Sequence, residues 1–140
     1  MKAIGDEIKN VLAINPVAAV YNSSLSGNAI DRLGFLSAVA SFAIGSVSAA
    51  VSSLQISVYV QHGASSTLSD AAYVTGAITT VSAATCILGG NQLVEIDVDL
   101  TELNRYIRMY AVHSIAGNDA ATVPVSGVVQ LGQSRSKPVA

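Results

Sequence analysis

Alternation with period two runs through most of this chain, and it leaves few folds open. In Leu54–Gln61 one set is Leu54, Ile56, Val58 and Val60, and the other is Gln55, Ser57, Tyr59 and Gln61. Successive side chains of a strand point to opposite faces, so this is a strand with one face buried. Leu93–Leu100 alternates in the same way, with Val94, Ile96, Val98 and Leu100 set against Glu95, Asp97 and Asp99. Arg105–His113 and Thr122–Leu131 are rich in β-branched and aromatic residues, which suit a pleated, half-buried surface. Ala77–Leu88 reads as a strand closed by a Gly89-Gly90-Asn91 turn. Phe35–Ile44 and Val11–Tyr21 are further strands, with Pro16 expected at an edge or a bulge. Only Met1–Asn10, where Ile4 and Ile8 lie one turn apart, has the spacing of a short helix. About eight short strands joined by Gly, Ser and Asn turns predict an all-β antiparallel sandwich in the jelly-roll style.

One register can be checked internally. With Thr101–Asn104 as a four-residue loop, Leu100 faces Arg105, Val98 faces Ile107 and Ile96 faces Met109 on the core side. On the other side Asp99 meets Tyr106, Asp97 meets Arg108 and Glu95 meets Tyr110. Apolar meets apolar and acid meets base, and a slip of one residue destroys both matches. The expectation is a hairpin in which Arg108 neutralises the acidic row.

The chain has 140 residues, the length of a single domain, with arms expected at residues 1–15 and 133–140. Hydrophobic residues make up 51%, which excludes disorder. Charged residues make up only 11%, far below the roughly 25% of an ordinary domain, so much of the outside is expected to be covered by partners. Residues 33–104 carry Asp70, Glu95, Asp97, Asp99 and Glu102 with no Lys or Arg, whereas Arg105, Arg108, Arg135 and Lys137 follow. Separated signs suit contacts that must choose an orientation. A net charge of −2 argues against nucleic acid, whose binders need a basic face. The uncharged run Leu33–Ser69 is long enough for a span, but its Ser and Gly content supplies little insertion energy. No membrane association is expected.

Catalytic chemistry is thin. His62 and His113 share no metal spacing, and Cys86 lies in an apolar strand away from any activating cation. No nucleophile elbow or phosphate-binding loop occurs. The row Glu95, Asp97, Asp99 could attract a hard cation, but a strand cannot wrap one as a loop does. The reading is of a non-enzyme without cofactor or metal. Asn22-Ser23-Ser24 is read as a turn.

Three blocks occur together. The first is Gly27-Asn28-Ala29-Ile30-Asp31-Arg32-Leu33-Gly34-Phe35, followed by a strand of small residues. The second is the acidic strand ending at Leu100, then Arg105-Tyr106-Ile107-Arg108. The third is Pro124-Val125-Ser126-Gly127-Val128-Val129-Gln130-Leu131-Gly132. Their order and spacing, over roughly Val11 to Gly132, resemble the jelly-roll cement (decoration) proteins of tailed-bacteriophage heads. The strand after Phe35 is richer in Ala and Ser than that pattern. The resemblance implies a virion protein on the outer surface of an icosahedral capsid, made in the host cytoplasm. It would bridge major capsid protein subunits and associate with its own copies. The residues expected to touch partners are Lys2, Lys9, Arg135 and Lys137 on the arms, with Asp97 and Arg108 on the sheet. A head-spike base, a tail-associated sandwich or a carbohydrate-binding module would share this fold. The last needs exposed aromatics, for which only Tyr106 and Tyr110, placed beside the acidic row, offer support.

Overall fold

In the computed structural model, residues 7–19, 22–82 and 91–135 are described. They contain nine strands and no helix. The strands are β1 (Lys9–Ala19), β2 (Ser24–Ser26), β3 (Ile30–Asp31), β4 (Ser37–Ile44), β5 (Ser53–Gly63), β6 (Ala72–Ser82), β7 (Gln92–Asp99), β8 (Tyr106–Ala116) and β9 (Val123–Gly132). One sheet runs β1-β9-β4-β7 and the other β2-β8-β5-β6, with β3 also on β8. Each of these strand pairs is antiparallel.

β2 and β3 lie end to end along one edge of β8. Ser24 to Ser26 face Val112 to Tyr110, and Ile30 and Asp31 face Ile107 and Tyr106. Gly27 bridges the break by donating its N–H to Met109 O at 2.8 Å. Counted as one interrupted strand, they complete the eight-stranded order of a jelly roll, in which two four-stranded sheets close over one core.

The alternation explains which faces meet. Leu54, Ile56, Val58 and Val60 of β5 are buried, as are Ile107, Met109 and Ile115 of β8. From the other sheet come Ala38, Ala40, Phe42 and Ile44 of β4, and Val125, Val129 and Leu131 of β9. The sheets approach closely where β9 has no side chain. A Cβ on Gly127 would lie 2.9 Å from Met109 Sδ of the opposite sheet.

Pro16 has both of its expected settings. β1 is an edge strand, and its register on β9 shifts between Ile14 and Val17. β6 carries a larger bulge. Tyr59 pairs with Ile78 but Gln61 with Tyr73, and Gly76 within the extra loop has φ +80°. Asn22 sits in the expected turn with φ 41°, its Oδ1 accepting from the Ile115 N–H.

Three expectations change. The hairpin between the acidic strand and the Arg105 segment does not form. β7 pairs with β4, so that Asp97 faces Val39, and β8 pairs with β5, so that Arg108 faces Gln61. The segment from Leu100 to Arg105 is still a loop, but it crosses from one sheet to the other. Lys9 and Asn10 are strand rather than helix, and residues 9–15 belong to β1 rather than to an arm, in line with the strand expected from Val11, because β9 pairs with this segment from Lys9 onward. The C-terminal segment is tied at its start, where the Arg135 N–H donates to Gly34 O at 2.8 Å. Residues 1–6, 83–90 (with Cys86 and part of the expected turn) and 136–140 lie outside the described residues. No helix among the described residues is long and apolar enough to cross a membrane.

Among the described residues the core holds one ionisable group. His113 points inward from β8 and is 2% exposed. Its Nδ1 lies 3.3 Å from Ser23 O, and its Nε2 meets no hydrogen-bond partner among the described residues. Burial pushes the imidazole below its ordinary value of 6.5, because a charged ring there has lost its water. The neutral ring is therefore favoured more in the folded than in the unfolded state. That stabilisation is complete above pH 6.5 and is lost as pH falls towards the folded value. Thermal melts should show a melting temperature that drops between about pH 7 and pH 5. His113→Leu should flatten this limb. An unchanged limb would show that His113 does not drive it.

Candidate interaction surface

Each sheet turns its second face to solvent, and the two outer faces differ in chemistry. On the four-stranded sheet the register sets Asn10, Gln130, Val39 and Asp97 in one row. The next row is Leu12, Val128, Ser41 and Glu95, and a third joins Ser126, Ala43 and Leu93. The middle of this face is thus built of small or aliphatic side chains. Leu12 is 48% exposed and Leu93 64%. The acids form a column on β7, the edge strand of the described sheet. Glu95 accepts from Ser41 Oγ at 3.3 Å. Asp99 accepts from the Thr101 hydroxyl at 2.6 Å and from its N–H at 2.9 Å, which hold its carboxyl below the usual range. The Asp97 carboxylate is exposed and has no ion-pair or hydrogen-bond partner among the described residues. Two open recesses flank the rows. One, of ≈ 660 Å³, lies by Ser37, Val39, Asp97, Asp99 and Gln130. The other, of ≈ 720 Å³, lies by Val17, Ala43, Leu93, Pro124 and Ser126.

The five-stranded sheet presents rings and arginines. One row joins Ser26, Tyr110, Tyr59 and Ile78, and the next joins Arg108, Gln61 and Tyr73. The rings of Tyr59, Tyr73 and Tyr110 cluster, with centroids 5.1, 6.2 and 6.5 Å apart and planes tilted by 49° to 64°. Tilted arrangements set ring edges against ring faces, as the aromatic quadrupole favours. Tyr73 is 56% exposed and Ile78 50%, so the cluster is open to a partner. Arg108 Nε donates to Oε1 of the buried Gln61 at 2.7 Å. It meets no carboxylate among the described residues. At the end of the face Arg105 forms a two-pronged ion pair with Asp31, its closest contact 2.6 Å, and its guanidinium carbon lies 5.3 Å from the Tyr106 ring centroid. The Arg105 guanidinium holds the Asp31 carboxyl below its ordinary value.

Of the residues expected to touch partners, Lys9 starts β1 and is exposed, and Arg135 lies just beyond β9. Asp97 and Arg108 stand on opposite outer faces of the sandwich. Lys2 and Lys137 lie outside the described residues. Tyr106 and Tyr110 do not border the acidic row but belong to the ring-bearing face. Sequence reasoning missed the contribution of Tyr59 and Tyr73 to it. For Tyr59 the signal was present, since it alternates with the core residues of β5. Tyr73 lies beyond the segment read as a strand. Among the described residues no group of His, Cys, Asp and Glu converges as a metal site.

No family model and no curated protein matches this sequence. Solved structures do match the fold. The chain is similar to the PBSX exported protein XepA, at 14% identity and TM-score 0.59, over 97% of this chain and 40% of that one. It is similar to VP2 in the subviral particle of infectious bursal disease virus, at 11% identity and TM-score 0.55, over 91% of this chain and 32% of that one. It is also similar to the xylan-binding module CBM15, at 11% identity and TM-score 0.51, over 96% of each chain. This chain spans well under half of XepA and about a third of VP2. Identities this low establish a shared fold and nothing finer.

Proposed function

We propose that this chain is a virion structural protein. In this reading it is a cement (decoration) subunit that sits on the outside of an icosahedral phage head and strengthens contacts between major capsid protein subunits. The observation that carries the proposal is a jelly roll whose two outer faces both present contact chemistry. One is smooth, aliphatic and acid-edged, and the other is rich in Tyr and Arg, the residues that dominate binding hot spots. The likeness in fold to a protein of a viral particle supports the same reading. The order of the Gly27–Phe35, Leu100–Arg108 and Pro124–Gly132 blocks gives it the phage context. The chain then acts by binding, without catalysis or a cofactor. Each contact buries on the order of 800 Å² per partner, and simultaneous grip on two capsid subunits multiplies weak affinities.

The test compares decorated heads with heads stripped of this protein. Heads carrying it should hold it at a fixed ratio to the capsid protein and release their genome at a higher temperature. Equal heat resistance, or a location confined to the tail or to a head spike, would remove the cement assignment.

A second reading is favoured by one observation, the Tyr59, Tyr73 and Tyr110 cluster beside Arg108 and Gln61. Exposed rings with polar groups at their edge suit stacking on sugar, and the fold is also that of a xylan-binding module. Affinity electrophoresis in polysaccharide gels separates the readings. Retardation that Tyr73→Ala abolishes would favour the glycan.

A further inference from the structure

We infer that copies of this protein bind one another head to tail, the acid-edged outer face of one against the tyrosine–arginine outer face of the next. This deepens the cement reading and rests on it for the setting in which copies meet, but the contact itself is a property of the free chain. Three observations carry it.

The first is charge. Asp97 and Arg108 stand on opposite faces of one subunit, and neither has an oppositely charged partner among the described residues. Within one chain they cannot meet, because the whole sandwich lies between them. Between two chains they can.

The second is spacing. Arg108 lies on β8 between Tyr106 and Tyr110, and Asp97 lies on β7 between Glu95 and Asp99. Both columns therefore step at the roughly 7 Å of alternate strand residues, so Arg108 set against Asp97 brings Tyr106 and Tyr110 beside the flanking acids.

The third is shape and exposed apolar surface. Leu12 and Leu93 lie open on one face, and Tyr73, Ile78 and Val112 on the other. The first face is smooth, with Val39, Ser41, Ala43 and Ser126 between two recesses, and the second carries bulky rings that can enter them. A contact between unlike faces leaves one of each kind free, so it extends into a row or closes as a ring.

Sedimentation of the purified chain from about 1 μM to about 1 mM tests the inference. The average mass should rise with concentration and fall with added salt. D97R and R108D should each weaken self-association by about tenfold or more, since each sets like charges against one another. The milder R108Q should weaken it less. Mixing D97R with R108D should restore assembly, because each variant then meets the opposite charge on its neighbour. The double variant D97R/R108D should assemble alone. A mass that stays monomeric throughout, a symmetric dimer untouched by D97R, or no rescue on mixing would overturn the inference. Head binding keeps the two readings apart. Wild-type chain that assembles yet leaves stripped heads bare would sink the cement role and support this contact. D97R that decorates heads normally while wild-type chain stays monomeric would do the reverse.

Discussion

Phe42→Ala should be among the most damaging single changes in this protein, costing about 3–5 kcal/mol. Phe42 is fully buried in the second half of β4. Its neighbours in the sheet are Gly127 on β9 and Val94 on β7, so neither side offers a large side chain to fill the vacated space. The loss therefore combines apolar transfer with an uncollapsed cavity. Domains of this size are stable by only about 5–15 kcal/mol, so a large share of the margin would go. Urea unfolding should show a lower midpoint at unchanged slope. Phe42→Leu should retain most of the stability. A loss below about 1 kcal/mol for the alanine variant would mean that Phe42 does not anchor the core.

Gly27→Ala should be the second. The residue occupies the break between β2 and β3, where the edge of one sheet comes up against the other. A Cβ there would lie 2.6 Å from Ala13 O and 2.8 Å from Met109 O. Both are backbone atoms, on β1 and β8, so relief requires moving a strand in each sheet. The hydrogen bonds from the Gly27 N–H to Met109 O and from the Asn28 N–H to Ala13 O would be strained with them. Overpacking of this kind costs about 1–3 kcal/mol. Hydrogen exchange should locate the damage, with protection lost first at the Asn28 amide and along β1. Gly27→Val should be worse. A variant as stable as the wild type, with β1 still protected, would show that the seam between the sheets yields easily.

The Asp97–Arg108 expectation shows what a local pattern can and cannot fix. Its core half was right about faces except at Arg105, which is exposed and paired with Asp31. Ile96, Val98 and Leu100 are buried, and so are Ile107 and Met109. They line one core from different sheets rather than pairing side by side in one. Alternation states which residues turn inward, but an inward face is satisfied equally by a hairpin neighbour or by an opposing sheet. The charge match on the outward half was no better a guide, since exposed ion pairs contribute too little to choose a partner strand. Burial of extended apolar faces on β4, β5, β8 and β9 outweighs it.

The candidate surface was legible to a similar depth. Tyr59, Tyr106 and Tyr110 could each be placed on an outward face from their position in the alternation. The convergence of Tyr59 and Tyr110 with Tyr73 could not, because it depends on the Gly76 bulge that shifts the β5–β6 register. The separated charges were visible as blocks along the chain, yet their meaning as two opposite faces appears only when the loop from Leu100 to Arg105 crosses between sheets.

The sequence by itself determined that this chain is a sandwich of antiparallel strands, which side chains fill it, and that Pro16 belongs at an irregular edge. Those are short-range matters, set by side-chain periodicity and by the missing proline N–H. Only the tertiary structure decided which strands are neighbours, that Lys9 and Asn10 extend the first strand rather than form a helix, and that Asp97 and Arg108 end up back to back. Strand partnership is a long-range choice among many pairings of similar local quality. It is settled by closing both sheets over one core, and no window of sequence contains that sum.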